Sequence, residues 1–144
     1  VTVHVERVTV ADADVVAAVA HLVPQLSETA AAPDAYDVET VVTSPTTSLL
    51  VARDDDHRIV GMLTVAIFRL PTGLRAWIED VVVDEAARGT GAGKALVAYA
   101  LVLAEEAGAR SVDLTSRPSR VDARALYASM GFEERATTLY RREL

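Results

Sequence analysis

The chain has 144 residues, 51% of them hydrophobic and 24% charged, which fits a single folded domain over 1–144 and not a disordered tail. Twenty-one acidic against fourteen basic residues give a formal net charge of −7, so nucleic acid or an anionic membrane would need a local basic patch, and no Lys/Arg run supplies one. No apolar stretch approaches ~20 residues, the opening VTVHVE alternates like a strand and not like a signal peptide, and the lack of cysteine excludes thiol chemistry and is compatible with the cytoplasm.

Val3 to Val10 alternates and predicts a strand. Ala11-Asp12-Ala13-Asp14 offers N-caps for a helix to about Leu26, with Val15, Val16, Val19, Leu22 and Val23 on its apolar side and Pro24 near its end. Residues 27–37 read as a loop, followed by a short helix over about 38–43. Ser48–Arg53 and Arg58–Arg69 are strands joined by a tight Asp54-Asp55-Asp56-His57 turn, and Leu70-Pro71-Thr72-Gly73 leads into a third, Leu74–Val83. After the segment 84–91 comes a long helix, with Leu96, Tyr99, Ala100, Leu103 and Ala107 on one stripe and Gly108 as its stop. A strand Ser111–Ser116, a loop, a helix over about 121–130 ending at Gly131, and one or two closing strands within 132–144 complete the chain. Hairpins among the early strands make the sheet mixed, in an α/β fold of about six or seven strands with flanking helices.

The stretch VVVDEAARGTGAGKALV, residues 81–97, concentrates the chemistry. A β-branched strand runs into glycines and straight on to a helix, which aims backbone N–H groups and the positive end of a helix dipole at one point. A phosphate or pyrophosphate suits that point. A P-loop is excluded, because Arg88 stands where its first glycine belongs and Ala95 where its metal-binding hydroxyl belongs. A dinucleotide fingerprint fails too, since the glycines fall at 89, 91 and 93 and hairpins precede the unit.

The spacing that fits is Arg88-x-x-Gly91-x-Gly93, preceded by Glu79-Asp80-Val81-Val82-Val83-Asp84 and followed by Ala123-x-x-Leu126-Tyr127-x-x-x-Gly131-Phe132. Together these blocks, covering roughly 77–133, resemble the GNAT superfamily of N-acetyltransferases. The resemblance implies a GNAT-like single domain that uses acetyl-CoA and no metal. Its pantetheine would lie along the backbone of Val81, Val82 and Val83, and its pyrophosphate would be held by Gly89, Thr90, Gly91, Ala92, Gly93 and Lys94, with charge from Arg88 or Lys94. Tyr127 would give a proton to the departing thiolate, since a phenol of ordinary pKa ~10 is protonated at neutral pH. Glu79 would be the general base, directly or through water, with Asp80 in reserve. On an alternating strand Glu79 shares a face with Trp77, Val81 and Val83, unless a bulge intervenes.

One position departs from the pattern. Many relatives carry Asn where this chain has Arg120, a residue able to reach a phosphate or a carboxylate instead. The acceptor implied is a small-molecule or protein amine, with Tyr36 and Asp37 candidates for lining its pocket; a homodimer through the last strands, with Thr137–Tyr140 as an edge, is a further implication. A non-catalytic acyl-CoA-binding or regulatory module is the alternative reading. His4, His21 and His57 are scattered without metal-ligand spacing, Ser44, Ser48 and Ser116 lack a nucleophile context, and Arg117 and Arg124 read equally as phosphate contacts or exposed cations.

Overall fold

In a computed structural model, which describes residues 2–144, five strands form one sheet in the order β1-β2-β3-β4-β5. They are β1 (His4–Arg7), β2 (Thr47–Arg53), β3 (Ile59–Leu70), β4 (Gly73–Val83) and β5 (Val112–Asp113). All neighbours are antiparallel except β4 and β5, which run parallel, so the sheet is mixed as expected. The β2–β3 turn is built by Asp54, whose Oδ1 accepts from the amides of Asp56 and Arg58. That local bonding is what the Asp triplet does.

Two apolar clusters occupy the two faces of the sheet. Helices α1 (Ala13–Leu26) and α2 (Ala35–Val42) cover one, burying Val15, Val19, Leu22 and Val38 against Leu49, Val51, Met62 and Val82. Helix α3 (Ala92–Ala107) covers the other, burying Ala92, Leu96, Val97, Ala100 and Ala104 against Leu50, Ala52, Leu63, Val65, Ala76 and Ile78. The buried line of α3 shares Leu96 and Ala100 with the expected stripe but continues to Ala104, leaving Ala107 exposed. Asp12 caps α1 by accepting from the Val15 amide at 2.9 Å. Helix α2 begins before the expected 38, because Asp34 and Asp37 form a reciprocal capping box.

Helix α4 (Val121–Ser129) leans on the α3 side with its Ala123, Leu126, Tyr127, Met130 stripe partly buried. The carboxy-terminal expectation fails. β5 is two residues long instead of spanning 111–116, and no strand forms within 132–144, so the sheet has five strands and not six or seven. Strand preference is a preference for a half-buried, paired surface. Residues 133–144 find neither, and Leu139 and Tyr140 stand 63% and 88% exposed.

Candidate active site

Strand β4 is paired with β5 only through Ala76–Val112 and Trp77–Asp113. Beyond Trp77 the two strands part, and the β4 edge from Ile78 to Val83 has no strand partner on that side among the described residues. Val81, Val82 and Val83 thus offer main-chain groups at an open edge while their side chains pack into the two cores. The same geometry fits an extended amide chain lying alongside.

A bulge lies in this open stretch. Gly61 and Met62 pair with Val83 and Val82, Thr64 pairs with Glu79, and the single residue Leu63 therefore faces both Asp80 and Val81. Asp80 has φ of 54°, a left-handed conformation that is uncommon for a side-chain-bearing residue. The bulge shifts the phase of the strand: Val81 and Val83 pack with Ile78 on the α3 side and Val82 on the α1 side. The simple alternation that grouped Glu79 with Val81 and Val83 does not hold.

Glu79 is not free. Its Oε1 accepts from Trp77 Nε1 at 2.7 Å, two residues away on the same face. Asp80 is solvent-accessible, and among the described residues its carboxylate has no hydrogen bond or ion pair. Crowding by protein, followed by the charge of Glu79, pushes its carboxyl above the ordinary range.

Past β4, Asp84 caps a turn of 3-10 helix (Glu85–Ala87), and Thr90 Oγ1 donates to Ala87 O at 2.6 Å. Gly89 and Gly91 have φ of 81° and 84°, and a Cβ on either would meet no heavy atom within 4 Å. Gly91 is the N-cap of α3 and provides no side-chain cap, which leaves first-turn amides of Ala92 to Lys94 for an anion. Ala92 contributes only backbone, its side chain being buried. Arg88 and Lys94 are both exposed at this junction. Gly93 sits where β4, α3 and α4 meet, since a Cβ there would lie 3.6 Å from Val83 Cγ2 and 3.8 Å from Leu126 Cδ2.

Next to that junction is Tyr127. Its ring packs with the α3-side core and meets Phe132 edge-on, centroids 5.8 Å apart. Burial raises its phenol above the ordinary value, while Arg120 pulls the other way. Arg120 is the N-cap of α4, on the face of the helix that Tyr127 occupies two turns later. Arg124 is engaged with Pro118 O and Glu134. Asp37 is consumed by the α2 capping box, and Tyr36 is an exposed residue of α2.

Two features escaped the sequence. Ser116 Oγ is buried with no hydrogen-bond partner among the described residues, in the segment where β5 has left the sheet. His21 and Gln25, one turn apart on α1, reach Asp84: His21 Nε2 lies 3.0 Å from Oδ2, and Gln25 Nε2 donates to Oδ1 at 3.5 Å while its Oε1 accepts from the Glu85 amide at 2.9 Å. The i, i+4 spacing was visible, but its partner 59 to 63 positions away was not. Two cavities, of about 250 and 200 Å³, lie at the Gly73–Arg110 corner and between Asp54, Arg58 and the Asp84–Ala87 turn that precedes the glycine loop. Among the described residues no three potential metal ligands gather, and no helix is long and apolar enough to cross a membrane.

The model of the Acetyltransferase (GNAT) family matches residues 16–132, and the chain belongs to that family. Over 62 residues it is 44% identical to a protein of Oryza sativa subsp. japonica named Probable glucosamine 6-phosphate N-acetyltransferase 2, a match covering 43% of this chain and 36% of that relative. The fold is similar to glucosamine-6-phosphate N-acetyltransferase from Arabidopsis thaliana, with TM-score 0.82, 21% identity and 98% of both chains covered. It is also similar to the aminoglycoside acetyltransferase meta-AAC0020 from an uncultured soil metagenomic sample, with TM-score 0.84, 22% identity and 99% and 97% coverage of this chain and that one. At these identities the two structures speak for the fold.

Proposed function

We propose that the protein transfers the acetyl group of acetyl-CoA to a primary amine by direct attack on the thioester. The observation that carries this reading is the parting of β4 from β5 directly beside an uncapped helix and a partly buried tyrosine. The residues present fit the cosubstrate. Gly89 and Gly91 leave open space where a side chain would project, the first turn of α3 offers amides to a pyrophosphate, and Ser116 has a hydroxyl in want of a partner.

The chain's own groups divide the work. Main-chain groups of Val81 to Val83 position the thioester and polarise its carbonyl, and Arg88 or Lys94 adds charge at the phosphates. Arg120 supplies a further cation between loop and helix, where it bears on Tyr127. Tyr127 Oη gives its proton to the leaving thiolate, and burial keeps that proton in place at neutral pH. A β4 carboxylate, Glu79 or Asp80, removes the ammonium proton.

The acceptor panel begins with glucosamine 6-phosphate, given the names of the rice and Arabidopsis relatives, and adds an aminoglycoside and a polyamine. The test is thiol release from acetyl-CoA with each amine. Release with at least one amine, reduced in Tyr127→Phe, supports the reading. Binding of CoA with no release on any amine overturns it in favour of a non-catalytic module.

A further inference from the structure

We propose that the corner between the β3–β4 hairpin and the end of α3 is a binding site for a small phosphate-bearing anion. It is separate from the acetyl-transfer site and does not depend on that reading.

A cavity of about 250 Å³ opens at this corner, lined by Thr72, Gly73, Leu74, Arg75, Arg110 and Ser111. The chain as a whole carries a net charge of −7, yet the charged residues lining this cavity are both arginines. Glu105 and Glu106, in the last turn of α3, form no ion pair with either of them among the described residues. Two guanidinium groups around one opening repel each other, and an anion between them turns that cost into attraction.

Arg110 is held in place before any ligand arrives. Its amide donates to Leu74 O at 2.8 Å, and its Nη1 donates to Thr72 O at 2.6 Å. Its stem crosses Gly73, where a Cβ would come within 2.6 Å of Arg110 Cδ. Gly73 also has φ of 126°, so both torsion and room for the arginine call for glycine there. Beyond the bond to Thr72 O, the guanidinium has no other acceptor among the described residues. A guanidinium fixed this way loses little freedom on binding.

Arg75 is less committed. Its Nε lies 3.8 Å from Asp113 Oδ2, beyond hydrogen-bonding reach, and its side chain is 45% exposed. A phosphate group, with several acceptor oxygens, serves two guanidinium forks at once better than a carboxylate does.

The corner lies about 20 Å along β4 from Val81, so one small ligand cannot occupy it and the thioester site together. Here Ser111 O accepts from Ala76 N at 3.0 Å and Ala76 pairs with Val112, so β4 and β5 have not yet parted. An anion bridging Arg75 and Arg110 ties the start of β4 to the approach to β5.

Backbone amide NMR of the full chain, titrated with glycerol 3-phosphate and separately with inorganic phosphate at constant ionic strength, tests the site. The amides of Thr72 to Arg75, Arg110 and Ser111 are expected to shift together and saturate. Those of Gly89 to Lys94 report the glycine loop, so an anion bound there is told apart. Arg110→Gln and Arg75→Gln are each expected to weaken binding at the corner by about tenfold or more while leaving the loop's response unchanged. Arg110→Gln also removes the bond to Thr72 O; Arg75→Gln spares the hairpin and is the second variant. The rise in melting temperature that the better probe gives wild type should shrink in Arg75→Gln. Saturation by either probe supports the site, and the tighter one shows whether free phosphate or a monoester is its ligand. Shifts confined to Gly89–Lys94, a corner response that stays linear in concentration, or an affinity unchanged in Arg75→Gln overturns the proposal. The acetyltransferase reading survives each of those results, and its own failure leaves the corner site standing.

Discussion

Tyr127 and Phe132 are joined twice, through backbone and through rings. The Phe132 amide donates to Tyr127 O at 3.0 Å and the Gly131 amide to Ala128 O at 3.2 Å, with Gly131 at φ of 91°. This is a Schellman closure of α4, and the edge-on contact of the two rings is its hydrophobic clasp. The Leu-Tyr-x-x-x-Gly-Phe spacing is thus a device that ends a helix and fixes a phenol in one stroke.

Tyr127→Phe retains the ring and the closure, so its melting temperature is expected to stay near wild type while kcat falls by ~10² or more. Phe132→Ala and Gly131→Ala should do the reverse in origin: each loosens α4, lowers stability by about 1–3 kcal/mol, and drags activity down with it. Thermal melts beside acetyl transfer rates distinguish the two patterns.

Arg120 stands where its positive charge favours the phenolate, against the larger effect of burial. Arg120→Ala is therefore expected to move the Tyr127 titration to higher pH, and Arg120→Lys to restore it. The difference in phenolate absorbance between Arg120→Ala and the same variant carrying Tyr127→Phe isolates this one of four tyrosines. An unmoved titration would show that the arginine does not act on the phenol.

Gly91 and Gly93 should answer differently to alanine. Gly91 needs φ of 84°, so Gly91→Ala is expected to cost about 1–2 kcal/mol and to misdirect the start of α3. At Gly93 the added methyl finds ordinary contacts at 3.6 and 3.8 Å within a helix, so the fold should gain up to about 1 kcal/mol. If Gly93→Ala melts higher yet binds acetyl-CoA more weakly by calorimetry, the glycine serves the ligand.

Asp84 anchors the loop to α1. Burial alone would raise its carboxyl, but the Ala86 amide, His21 and Gln25 together hold it below the ordinary range. A depressed folded value stabilises the protein above the ordinary carboxylate range and is lost as pH falls through it. Asp84→Asn is expected to cost about 1 kcal/mol at neutral pH, with the gap to wild type closing in acid. Melting curves across pH check the sign.

Much of this was legible because it is local. The 3.6-residue stripes of α1 and α4, the hairpin turn at Asp54 and the glycine loop all depend on neighbours in sequence. The His21–Asp84 link was not, since it joins elements with no shared pattern. The carboxy-terminal strands were misread because residues such as Thr137 and Leu139 have strand preference but no paired edge to realise it. The place of the β4 bulge was not visible for another reason: it interrupts an alternating count at Asp80 without leaving a glycine to mark it.

The surplus residue in β4 also has an engineering meaning. Excising Asp80 should let the strand zip regularly against β3, since Leu63 would then face Val81 alone and no valine would change sides. The expected product is a sturdier protein with the same two cores. Native β4 instead keeps a stitch out of register, at a position that neither core requires.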